Sequence, residues 1–191
     1  MHTTDMKNQL TLSLLHLGSL KGLDNVSLSD LAKENKISKA SIFHHFSNRE
    51  ELISHLFAFC SNLAYTQQAT ISLAGTAEEV LLRAVDHWHE VYTKEPLNWF
   101  YRIVESEKLT HREAGVISKT LGEMVDGQSR ILLETLSDSL RLDIEELDLA
   151  VMTFSATVQN FLSKAMVGND PDILWQEERF ITKFCKLYAI Q

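Results

Sequence analysis

Residues 26–52 read VSLSDLAKENKISKASIFHHFSNREEL, and the spacing of capping and apolar residues in this stretch decides the fold. Ser27 offers a hydroxyl N-cap, with Asp30 three residues later in the first turn of a helix. Leu28, Leu31 and Ala32 give that helix an apolar face, which fails around Asn35-Lys36. Ser38 is a second N-cap, and Ile42, Phe43 and Phe46 supply apolar positions for a third short helix. Ser47 and Glu50 have the S-x-x-E spacing of a capping box and predict a fourth helix. Leu52, Ile53, Leu56, Phe57 and Phe59 carry it to about residue 66. Short helices joined by a tight turn in this way have the geometry of a helix-turn-helix.

Working outward, Leu10, Leu14 and Leu17 recur at helical spacing and predict a first helix that ends near Gly22. On the other side a softer stretch runs from Gln67 to Gly75. Thr76 with Glu79 then repeats the capping-box spacing and opens a helix to about Lys94. Pro96 punctuates the chain before a helix from Leu97 to about Glu107. A long pattern follows from about Arg112 to Leu140. Asp143 is expected to cap the next helix, which runs to about Val167. Gly168-Asn169-Asp170-Pro171 is a stop, and a last helix starts at about Asp172. No strand-like alternation of useful length, internal repeat or low-complexity tract is present. The expectation is an all-α chain. A three-helix helix-turn-helix domain (1–50) precedes a larger helical domain (51–191), the two linked by the helix at about 47–66.

The stretch that decides the fold also carries DNA-reading chemistry. The recognition helix spans about Ser38–His45, and its exposed positions are Lys39, Ala40, Ser41, His44 and His45. Small residues at its start permit close approach to base edges. The Ser41 hydroxyl can donate or accept, and Ala40 can touch a thymine methyl. Lys39 and Arg49 are placed to neutralise phosphates. Ser27 and Ser29 can join the backbone amides of the preceding helix in holding another.

The net charge of −8 argues against nucleic acid only if it is spread evenly, and it is not. Residues 1–60 hold six basic and six acidic side chains, so the excess acidity lies in residues 61–191. The 7 Gly and 2 Pro leave helices lightly interrupted. Cys60 and Cys185 read as small buried hydrophobes rather than a disulfide. No signal peptide or membrane-spanning run is expected, so the chain reads as cytoplasmic.

Several elements together resemble the DNA-binding domain of the TetR family of repressors. They are Gly22, Leu31-Ala32, Ile37-Ser38-Lys39, Ile42 through Phe46, and Arg49-Glu50-Glu51-Leu52. This chain departs from the family at two places. Lys36 stands where the turn usually has Gly, at a cost of about 1 kcal/mol for positive φ, and can add a phosphate contact. Phe43 stands where Tyr commonly reaches a phosphate, so only a packing role is carried over to it.

The resemblance implies that the first domain (1–50) binds DNA and that the second (51–191) binds a ligand and dimerises. It thus implies a homodimer on a palindromic double-stranded operator, with a small-molecule effector held in the helical body. Candidate lining residues are His87, Trp88, Tyr92, Trp99, Phe100, Met124, Gln128, Met152 and Gln159, apolar walls with a few polar groups. The helices at 143–167 and 172–190 offer Leu149, Met152, Val158, Phe161 and Leu162 against Trp175, Phe180, Ile181, Phe184 and Leu187. Such a helix pair can pack on its two-fold mate as a four-helix bundle. No metal site is expected: His44-His45 and His87/His89 point to different helix faces. No cofactor and no catalytic residue is expected. The competing readings are a helical protein–protein adaptor or an enzyme, each with a helix-turn-helix that no longer binds DNA.

Overall fold

The computed structural model describes residues 2–66, 71–168 and 172–190. The helices are α1 (His2–Lys21), α2 (Leu28–Glu34), α3 (Lys39–Phe43), α4 (Arg49–Thr66), α5 (Ala77–Thr93), α6 (Leu97–Glu107), α7 (Arg112–Asp138), α8 (Leu147–Val167) and α9 (Ile173–Leu187). A 3₁₀ turn, Leu23–Asn25, joins α1 to α2. No strand occurs among the described residues, in agreement with the all-α expectation. Residues 67–70 of the softer stretch and 169–171 of the expected stop lie outside the described residues.

The chain packs as two compact units. The first comprises residues 1–68 and 94–118, the second 69–93 and 119–191. In the first, α1 packs on α4 and α6, so α6 groups with the N-terminal helices although it lies well beyond residue 50. Leu10 and Leu14 of α1, Ile42 of α3, Leu52 and Leu56 of α4, and Phe100 and Ile103 of α6 are all enclosed there. In the second, α5 packs on α8 and α9. Its core is built from Val80, Leu81, Ala84 and Trp88 of α5, Leu133 and Leu136 of α7, Phe154 and Val158 of α8, and Ile181 and Phe184 of α9.

Two expected caps are corrected. Helix α4 starts one residue later than the Ser47/Glu50 box implies. Asn48 Oδ1 accepts the N–H of Glu51 at 2.8 Å, and the Glu51 carboxylate takes the N–H of Ser47 at 2.7 Å. Asp143 caps nothing, because α8 begins at Leu147. Leu142 and Ile144 are buried on either side of Asp143, and its N–H donates to Tyr188 O at 2.8 Å. The sinking of these two side chains holds this segment in irregular backbone.

The Thr76/Glu79 box forms as expected, with the Glu79 carboxylate on the Thr76 amide and the Thr76 hydroxyl on the Glu79 amide. That bonding holds the Glu79 carboxyl below its ordinary value. Burial pushes the Cys60 thiol up to about 12. Burial, then the nearby Glu78, takes Cys185 to about 11. Both cysteines are free.

Candidate nucleic-acid interface

The interface is assembled from backbone signals a few residues long. The Ser27 hydroxyl accepts the N–H of Asp30 at 3.1 Å, and the Asp30 carboxylate takes the N–H of Ser27 at 2.9 Å. This reciprocal box starts α2. Lys21 Nζ also sits 2.9 Å from the same carboxylate. The Lys21 bond, then those from Ser27, hold the Asp30 carboxyl far below its ordinary value. The chain leaves α2 through Asn35 and turns at Lys36, whose φ is +55°. This is the left-handed turn at which the TetR resemblance marks Lys in place of Gly. Ser38 then caps α3, accepting the N–H of Ser41 at 3.1 Å, and the two hydroxyls lie 2.8 Å apart.

Helix α3 has five residues, with His44 and His45 in the turn that follows. Ile42 and Phe46 are 1% and 2% exposed and anchor the segment to the core. Lys36, Ser38, Lys39, Ala40 and His44 are exposed on the outer side, and Ser41 and His45 are half-buried. His45 Nδ1 is buried with no hydrogen-bond partner. Ser29 is exposed at the start of α2.

Three expectations change. Phe43 does not pack: it is 53% exposed. Successive helical side chains diverge by about 100°, so with Ile42 facing the core its neighbour turns outward. The phenyl ring thus joins Lys39 and Ala40 on the outer surface. Arg49 does not extend to solvent; its guanidinium donates to the backbone oxygens of Leu23 and Val26. The Ser27 hydroxyl is committed to Asp30, donating to its carboxylate at 2.9 Å, which sets a negative charge where a phosphate was expected.

The candidate ligand residues divide between the units. Trp99 and Phe100 belong to the first. Trp99 lies against His16 with ring centroids 4.8 Å apart, and Phe100 is enclosed beside Phe57 and Tyr101. The others belong to the second. Trp88 is buried and donates through Nε1 to Gln128 Oε1 at 2.6 Å. His87, Tyr92 and Met124 are half-buried. Met152 and Gln159 line a groove of about 430 Å³ between α7 and α8, with Asp126, Gly127, Arg130, Asp148, Val151, Ser155 and Ala156.

One buried polar pair in the second unit was not foreseen. His89 Nε2 bonds Glu177 Oε2, at 9% and 3% exposure, and Glu177 Oε1 has no partner. Its signal in the sequence was slight: a Glu at the spacing of Ile173, Ile181 and Phe184 on α9.

Of the expected dimer residues, Val158, Leu162, Ile181 and Phe184 are buried within the unit. Leu149, Met152, Trp175 and Leu187 are 52–75% exposed. Among the described residues no helix is long and apolar enough to cross a membrane, and no group of three or more His, Cys, Asp or Glu is placed to hold a metal.

Residues 15–56 match the model for bacterial regulatory proteins of the tetR family. Over 57 residues the chain is 35% identical to the negative transcriptional regulator of the biofilm operon in Staphylococcus epidermidis. That alignment covers 30% of this chain and 31% of the relative, so it spans about a third of that protein. Two solved structures share the fold over nearly the whole length. A transcriptional regulator from Saccharomonospora viridis in complex with choline superposes with a TM-score of 0.74 at 16% identity, covering 98% of this chain and 99% of that one. A TetR-family regulator from Cytophaga hutchinsonii does so with a TM-score of 0.73 at 13% identity, covering 100% and 98%.

Proposed function

We propose that the chain, whose residues 15–56 match the model for regulatory proteins of the tetR family, is a homodimeric, ligand-responsive repressor of that family. Its DNA-binding module is residues 1–50, joined to the helical body through α4. Helix α3 enters the major groove of a palindromic operator in double-stranded DNA, and the chain works where that DNA is, in the cytoplasm. The role is binding rather than catalysis.

The observation that carries this reading is the outer face of the turn and α3. Lys36 and Lys39 are exposed there beside Ala40, Phe43 and His44, while Ile42 and Phe46 fix the segment from behind. Exposed lysines supply sequence-independent phosphate attraction. Ala40 and Phe43 offer apolar contact to a thymine methyl, and the Ser41 hydroxyl and His44 ring offer hydrogen bonds to base edges. Ser29 at the start of α2 is free to meet the backbone.

The repressor sign is supported by the S. epidermidis relative, a negative regulator. An effector site in the body is supported by the neighbour that holds choline. Of the candidate lining residues, His87, Trp88, Tyr92, Met124, Gln128, Met152 and Gln159, all of the second unit, are the ones we propose for effector contact. A second copy of the chain is the proposed cover for Leu149, Met152, Trp175 and Leu187.

Selection from a random-sequence DNA pool tests the reading. The expected product is a palindrome whose half-sites lie one helical turn, or a multiple, apart. A bound pool no different from the input rejects it.

A further inference from the structure

The 3₁₀ turn Leu23–Asn25 leads into Ser27, the N-cap of α2, and two other helices grip it. From α4, Arg49 donates to the carbonyls of Leu23 and Val26, one at the start of the turn and one just past its end. From the end of α6, Glu107 Oε1 accepts the N–H of Leu23 at 3.2 Å, a bond between residues 84 apart in sequence. Apolar packing closes the same junction. A Cβ on Gly18 would stand 2.7 Å from Leu23 Cδ2 and 3.1 Å from Ile103 Cδ1, so glycine lets α1 approach both the turn and α6. Gly22 enters the turn at φ +82°, a conformation that suits glycine.

We infer that Glu107 and Arg49 are positioning residues for DNA reading. Between them they hold the amide and the carbonyl of Leu23, and so fix the start of α2 to the ends of α6 and α4. Helix α2 packs on α3, so the placement of the DNA-reading face depends on this grip. The inference rests on the proposed regulator function.

The chemistry predicts which substitutions are tolerated. The Leu23 N–H needs one acceptor at the reach of a Glu side chain. Glu107→Gln keeps that acceptor, Glu107→Asp is one methylene short, and Glu107→Ala removes it. Gln and Ala both delete the negative charge, so a difference between them is not an effect of charge on DNA. At Arg49, Lys keeps the charge but loses the planar fork that serves two carbonyls.

The test uses the full-length chain and the duplex that the wild-type protein enriches from a random-sequence pool, with affinities measured at one fixed salt. Leu23 amide hydrogen exchange is followed without DNA. Glu107→Ala, Glu107→Asp and Arg49→Lys are expected to bind about fivefold more weakly, the loss of roughly one hydrogen bond. The Leu23 amide should exchange faster in the two Glu107 variants. Glu107→Gln should bind at least as tightly as wild type and keep slow exchange. Equal losses for Gln and Ala overturn the inference, as does wild-type affinity or exchange in Glu107→Asp. If the Ala variant does not fold, the Asp and Gln pair decides. A wild-type chain that enriches no sequence overturns the regulator reading and this inference together. Enrichment by wild type with undiminished binding by Glu107→Asp overturns the inference alone.

Discussion

Residues 26–52 and the second unit differ in how far their characteristic polar bonds reach along the chain. In the first region Ser27 and Asp30, Ser38 and Ser41, and Asn48 and Glu51 bond within three residues, at the exposed ends of helices. In the second, Trp88 meets Gln128 across 40 residues and His89 meets Glu177 across 88. Local bonds set where helices start and are individually modest. Long-range bonds in a dry core tie one helix to another, and breaking one strands its partner. The proposed DNA-reading face thus takes its helix starts from short, solvated signals, whereas the second unit also depends on contacts visible only once it is folded.

The largest expected effect is in the second unit. Glu177→Ala leaves His89 buried without its partner and should cost about 3 kcal/mol in denaturant unfolding. Replacing both, His89→Phe with Glu177→Leu, should recover most of that loss. A Glu177→Ala cost under about 1 kcal/mol, the size of a surface cap, erases the energetic half of the contrast.

Cap substitutions follow. Asn48→Ala should cost about 1 kcal/mol, and Ser47→Ala distinctly less, since the structure moves the α4 cap to Asn48. The reverse order restores the Ser47/Glu50 register. Smaller still is Lys36→Gly, which relieves a positive φ and should raise stability by about 0.5 kcal/mol. Its DNA affinity should nevertheless fall, because a phosphate partner is gone. A destabilised Lys36→Gly variant contradicts strain at that turn.

The smallest effect is in pH. Burial, then the charge of Lys7, lowers the His55 pKa below its ordinary 6.5. The unfolded chain therefore takes up this proton first. Stability from this site is complete above about 6.5 and falls as pH drops toward the lower folded value. His55 Nδ1 lies 3.0 Å from the Thr11 hydroxyl. Thermal midpoints between pH 7 and 5.5 should decline more gently in His55→Gln than in wild type; parallel curves contradict the assignment.

The same contrast explains what could be read from the chain. The caps at Ser27, Ser38 and Thr76 were legible because both partners lie within one turn. Asn48 was missed because Ser47-Asn48 and Glu50-Glu51 offer two registers with equal spacing. Phe43 was taken for packing because apolar residues usually are; with Ile42 and Phe46 already filling the inner face of a five-residue helix, it had no room inside. Arg49 looked like a phosphate ligand because its charge is visible in sequence, while its carbonyl partners lie 23 and 26 residues away. Asp143 has the composition of a cap, but burial of its neighbours decides otherwise. Aromatic residues of the body could be named, yet enclosure of Phe100 and exposure of Trp175 depend on helix packing that periodicity alone does not give.

The exposed lysine face of the turn and α3 is the proposed contact with DNA phosphates. The salt dependence of binding to the selected palindrome tests it most directly, with Lys39→Ala compared with wild type. Lys39→Ala should show a shallower slope of log affinity against log salt, by about one for each Lys39 in the complex. Slopes that coincide within error, with unchanged affinity, contradict it.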